Sequence, residues 1–210
     1  MTSSGGVYGR AGGGLNAGHV KGNKGQISAG IRGEYATARV LDALASQPDG
    51  PSVFHDLHIP GAGGNIDHAV VSGTTVWLID SKCWKPGLYW RIGSKVYRGM
   101  SRFKVTTRRN GRKVVEHPAE KQTLAKSFIG YRNYLVKIYG PGYVDLRTPL
   151  LVVWSSSEVK KARVGLLSGG VDHERIQAVS GHRLKKVLRE ANRPADPAIV
   201  EAIQRLLIHT

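Results

Sequence analysis

The chain has 210 residues, 40% hydrophobic and 22% charged, enough for one domain with a substantial core and too few for two ordinary ones. Thirty-one Lys and Arg against fifteen Asp and Glu leave a formal charge of +16, which favours a polyanionic partner, nucleic acid first and an anionic membrane surface second. No apolar run reaches membrane-spanning length, no basic amphipathic helix carries a bulky apolar face, and the single Cys83 excludes an internal disulfide, so a cytoplasmic protein away from membranes is expected.

In chain order, residues 1–27 are rich in glycine and poor in large apolar side chains, which predicts a flexible, weakly cationic tail ahead of a single domain over 28–210. A helix is expected from Ser28 as N-cap to about Ser46, with Ile31, Ala38, Leu41 and Ala45 on one face and Tyr35 at its edge. Alternating runs at 52–58, 65–72 and 75–83 read as strands, and more strand-like sequence broken by glycine turns extends from Leu88 to Val115. Pro118 suits the first turn of a long helix whose face is Leu124, Phe128, Tyr131, Leu135 and Ile138, ending at Gly140. Strands are expected at Leu150–Trp154, Arg163–Leu167 and Arg175–Val179, and helices at about 182–191 and 197–208, the last capped by Asp196 with Pro197 at its first position. The order implies an α/β fold, a central mixed sheet built from an antiparallel meander with added strands and flanked by helices.

Gly73-Thr74 suits a two-residue type II′ hairpin turn. Counting outward from Ser72 opposite Thr75, Asp67 arrives opposite Asp80, and Lys82 follows on the same side roughly 7 Å along the strand. Directly opposed carboxylates sit roughly 5 Å apart and repel, so they need a proton or a cation between them; a hard divalent ion with oxygen ligands answers this. Taken alone, Asp80-x-Lys82 is also the pattern of a solvated ion pair at a hairpin end. Glu34 falls near the centre of the first helix's apolar face, where a carboxylate is either paired or metal-bound, or else complements the helix dipole.

The segments Gly33-Glu34-Tyr35, Phe54-His55-Asp56-Leu57-His58-Ile59-Pro60, Asn65-Ile66-Asp67-His68 and Ile79-Asp80-Ser81-Lys82-Cys83-Trp84 together resemble the nuclease-related domain (NERD) family. That family is similar to the PD-(D/E)XK nucleases, including Holliday-junction resolvases. The resemblance implies a four- or five-stranded mixed sheet of the restriction-endonuclease type, with Asp67 as the first metal-binding aspartate, Asp80 and Lys82 as the acid and lysine of the (D/E)XK element, and Glu34 as the first-helix glutamate. It further implies a Mg²⁺- or Mn²⁺-dependent deoxyribonuclease, an endonuclease, with Asp67, Asp80, Glu34 and the Ser81 carbonyl as ligands and Lys82 as the catalytic cation. Junction-cutting relatives imply a homodimer. His68 alternates to the other face and reads as structural.

From Lys82 to Lys113 there are eleven basic residues and no acidic one, interleaved with Trp84, Tyr89, Trp90, Tyr97 and Phe103. Lys85, Arg91, Lys95, Arg98, Arg102, Lys104, Arg108 and Arg109 are therefore expected to contact nucleic-acid phosphates, with aromatic faces free to stack on unpaired bases. Two other readings fit the same residues: a nuclease-like module that binds nucleic acid without cutting it, and a scaffold protein.

Overall fold

A computed structural model describes residues 5–13, 24–92, 95–102, 105–109, 112–116, 122–165, 168–169 and 176–208. The meander appears where alternation places it, as β2 (Ser52–His58), β3 (Asn65–Ser72) and β4 (Thr75–Trp84), paired antiparallel in sequence. Gly73 has φ +55° while Thr74 is not among the residues with positive φ, the pattern of a type II′ turn, and Ser72 pairs with Thr75. On its other side β4 pairs in parallel with β11 (Leu150–Ser155), and β11 with β14 (Ile176–Ser180). Among the described residues this sheet has eight strands, completed by β1 (Val7–Gly9) beside β2, β10 (Asp145–Leu146) beside β4 and β13 (Ser168–Gly169) beside β14.

Helices cover both faces, as a sheet with two apolar faces requires. On one face α1 (Lys24–Ala45) and the short α3 (Leu184–Val187) pack Leu41, Leu44, Ala45, Leu184 and Leu188 against Val53, Val70, Trp77, Ile79 and Val152. On the other, α2 (Gln122–Tyr139) and α4 (Pro197–Gln204) bring Leu124, Tyr131, Ile199 and Ile203 onto Phe54, Ala69, Val71, Leu78 and Val153. Asp196 caps α4, accepting from the Ala198 and Ile199 amides at 2.9 and 3.3 Å, with Pro197 following it. The chain between β4 and α2 forms two smaller sheets: β5 (Gly87–Ile92), β6 (Lys95–Arg98) and β7 (Ser101–Arg102) with β12 (Ala162–Val164), and a separate ribbon of β8 (Val105–Arg109) and β9 (Arg112–Glu116).

Several expectations need correction. The start of the predicted flexible tail is built into the sheet: β1 runs parallel to β2, Tyr8 stacks on Phe54 with ring centroids 4.9 Å apart, and Ala11 is buried. Composition hides this because β1 contributes backbone, satisfying the open edge of β2 through bonds such as Val53 N–H to the Gly6 carbonyl at 2.8 Å. Helix α1 starts at Lys24, a turn before Ser28, and Ile138 lies exposed at the end of α2. The helix expected at 182–191 is a 3₁₀ turn (Gly181–Arg183) followed by α3. The last helix stops at Gln204, because Leu206 and Ile208 return to bond His58 and Asp56 of β2.

Candidate nuclease site at the fork of two strands

The β3–β4 ladder runs from Ser72–Thr75 to His68–Ile79 and stops there. Below it β3 stays with β2, pairing Ile66 with Leu57, while Asp80, Ser81 and Lys82 of β4 stay with β11. By the two-residue alternation of bonded pairs, Ser81 is next in line to bond Ile66. Its N–H instead donates to Asp67 Oδ2 at 2.6 Å, so the aspartate side chain closes the fork that its own strand opens.

Three carboxylates, those of Asp67, Asp80 and Glu34, lie around this fork. Lys82 Nζ lies 2.6 Å from Asp80 Oδ2 and donates to the Ser81 carbonyl at 3.0 Å, so one ammonium joins two oxygens of the expected ligand set. Glu34 arrives from α1, neither central in the core nor free in solvent; its Oε2 accepts the Gly12 N–H at 2.9 Å, a contact made by the N-terminal segment. Gly33 makes that approach possible: a Cβ there would sit 3.3 Å from the Lys82 carbonyl carbon and the Cys83 nitrogen. The helix is pinned one turn later, where the Thr37 hydroxyl donates to the Gly33 carbonyl and receives bonds from Ser81 Oγ and Trp154 Nε1, each at 2.8 Å.

The electrostatics record crowding. Burial pushes Glu34 up to about 7; the Gly12 amide and Lys82 pull it down, and the charges of Asp56 and Asp80 push it up. Asp67 is held well above the ordinary carboxylate range by burial, then by Asp80 and Glu34, against the pull of Lys82 and the Ser81 amide. Burial would lower Lys82, but Asp80, Asp67 and Glu34 outweigh it and leave its pKa raised. Among the described residues no three His, Cys, Asp or Glu side chains converge closely enough to hold a metal ion. By donor type and by excess negative charge, the group nonetheless suits a hard divalent cation.

Residues 29–140, more than half of the chain, match the family described as the nuclease-related domain. The chain belongs to the NERD family. No curated protein and no solved structure shows significant similarity to it.

The matched segment of this NERD protein contains Glu34, Asp67, Asp80 and Lys82, and also Asp56. Sequence reading passed over Asp56; its one signal was an acid inside a strand, where aspartate is depleted. The basic residues of the NERD chain divide. Lys85 and Arg102 are exposed, whereas Arg98 is half-buried with its aliphatic stem against Gly87 and its head bonded to Tyr89. Arg98 thus has a structural task beside any ligand contact. Arg91, Lys95, Arg108 and Arg109 are placed by strand register alone, opposite Val96, Ile92, Lys113 and Arg112, with side chains outside the described set; Lys104 lies outside the described residues. His68 is buried on the α1 side, its Nδ1 2.8 Å from that of His55, whose Nε2 reaches Asp42 Oδ1 at 2.9 Å. Cys83 faces Gly33 of α1. No described helix is long and apolar enough to cross a membrane.

Proposed function

We propose that this NERD protein is a cytoplasmic, divalent-cation-dependent nuclease that hydrolyses phosphodiester bonds in DNA, with Glu34, Asp67, Asp80 and Lys82 as its working residues. The observation that carries this reading is the fork itself, where the half-buried carboxylates of Glu34, Asp67 and Asp80 outnumber the ammonium of Lys82 beside them, which touches Asp80. Mg²⁺ or Mn²⁺, held by Asp67, Asp80, the Ser81 carbonyl and Glu34, supplies Lewis-acid polarisation of the phosphodiester and activation of water.

The chain's residues supply the rest. The Ser81 N–H and the Gly12 N–H hold the Asp67 and Glu34 carboxylates in place. Lys82, released from the Ser81 carbonyl, offsets charge that develops on the phosphoryl oxygens. The strands from Gly87 to Glu116 carry cations to backbone phosphates, and contacts to phosphate and shape rather than to base edges set the substrate, because no described element has the form of a base-reading motif.

Plasmid digestion with Mg²⁺ tests the assignment. Asp80→Ala and Lys82→Ala are each expected to lower cleavage on the order of 10²-fold or more. Equal cutting by wild type and both variants overturns it. Among the described residues no three acids converge as a metal cluster, and a second reading is a module that binds DNA and does not cut it; binding without cleavage under either cation identifies that case.

A further inference from the structure

Asp56 lies in the interior of β2 and is 4% exposed. Its Oδ1 accepts from Asn65 Nδ2 at 2.7 Å, and its carbonyl accepts from the Ile208 amide at 3.0 Å. Its Oδ2 is buried with no hydrogen-bond partner. A buried carboxylate oxygen without a donor is a rare and costly arrangement that a fold retains for a reason outside packing.

Register shows where that oxygen belongs. Between the pairs His55–His68 and Leu57–Ile66, Asp56 occupies the position across from Asp67, whose Oδ2 accepts the N–H of Ser81, the residue after Asp80, where β3 and β4 have parted. Asp56 and Asp67 thus stand side by side on adjacent strands, and Asp67 links them to the backbone next to Asp80. The ladder breaks at the first of them: Asp56 has φ +57°, and Leu57 and Ile66 enter the same core as Phe54 and Ala69, where simple alternation would send them to the opposite face.

We infer that Asp56 is a further cation ligand of this site, its Oδ2 joining Glu34, Asp67 and Asp80 around the divalent ion. The inference rests on the metal-dependent reading above and extends it to a residue that the (D/E)XK pattern does not include. The chemistry is consistent: an all-oxygen, carboxylate-rich set suits Mg²⁺ or Mn²⁺ and not a soft metal. Asn65 then acts as a positioning residue, holding Oδ1 so that Oδ2 is presented to the ion.

Calorimetric titration of the whole chain with Mn²⁺ tests this without an activity assay. Asp56→Asn keeps an oxygen for Asn65 and a residue type that tolerates positive φ, while removing the charge. It is expected to weaken Mn²⁺ binding at least tenfold and to reduce the rise in Tm that Mn²⁺ produces. Asp42→Asn, on the outer part of α1, is expected to bind as wild type does. Unchanged Mn²⁺ affinity in folded Asp56→Asn overturns the inference while leaving the nuclease reading intact. No Mn²⁺ binding by wild type overturns both. Should Asp56→Asn fail to fold, Mn²⁺ anomalous scattering from wild-type crystals decides: a peak within about 2.3 Å of an Asp56 oxygen is expected, and a peak ligated only by the other acids overturns it.

Discussion

Glu34 and His68 show how single buried groups set the response to pH in opposite directions. Glu34 titrates near 7 in the folded chain against 4.5 when unperturbed, so the stability linked to its proton is complete below 4.5 and is lost as pH rises through about 7. Asp67, also raised, adds to the same limb. His68, held well below 6.5 by burial and by His55, behaves oppositely: the stability linked to its neutral ring is present above 6.5 and is lost as pH falls. Urea denaturation in chelator at a series of pH values should therefore show stability falling on both sides. Glu34→Gln should flatten the limb between 4.5 and about 7 and leave the acid limb in place. An unchanged profile would mean that Glu34 does not carry that proton.

The imidazole chain is legible only in three dimensions. His68 Nε2 has no partner, while Nδ1 meets His55 Nδ1 and His55 Nε2 meets the Asp42 carboxylate. Since Asp42 only accepts, a neutral His55 keeps its proton on Nε2, and His68 must then donate from Nδ1. Alternation correctly sent His68 away from the apolar face of the hairpin; nothing in the spacing told that His55 and Asp42 would meet it.

Among the elements, α1 and β4 depend most on one another. Gly33 lets the helix approach the backbone of Lys82 and Cys83, and Thr37 then bonds across to Ser81 and Trp154. Gly33→Val introduces a branched side chain where a Cβ alone already meets backbone at 3.3 Å. It should destabilise the fold by about 1–3 kcal/mol in urea denaturation. Because Glu34 moves with the helix, cleavage should fall as well in the molecules that remain folded. Full activity in a stable Gly33→Val variant would show that the close approach does not position the site. A Leu41→Ala change, also on α1 but wholly buried away from the fork, should cost about 2–5 kcal/mol and leave the proposed cleavage by the folded fraction unaltered.

At the scale of the whole molecule, a formal charge of +16 and eleven cations between Lys82 and Lys113 set the response to salt. If binding neutralises only about four phosphates, affinity for duplex DNA should drop on the order of a hundredfold between 50 and 200 mM salt. Fluorescence anisotropy of a labelled duplex across that range measures it, and a flat response would remove nucleic acid as the partner. Replacing Arg108, Arg109, Arg112 and Lys113 at the tip of the β8–β9 ribbon should make the salt dependence shallower, by up to about 0.9 per lost contact.

Local rules in the sequence determined the meander, its type II′ turn, the Asp196 cap and the register from Ser72–Thr75 to His68–Ile79, because a short loop and a two-residue period leave the strands no other alignment; the Asp67–Asp80 pair that the same register predicted does not form, because β3 and β4 part before it. The resemblance of four short segments pointed to the family and so to Glu34, Asp67, Asp80 and Lys82. Tertiary structure alone decided that Val7–Gly9 would complete the sheet edge and that Gly12 would hold Glu34. It also turned the backbone of Asp56 to φ +57° and parted β3 from β4 at the acids. These features join residues far apart in the chain through backbone bonds and packing. Composition and periodicity describe side chains along one segment, and carry no record of which distant backbone groups that segment will meet.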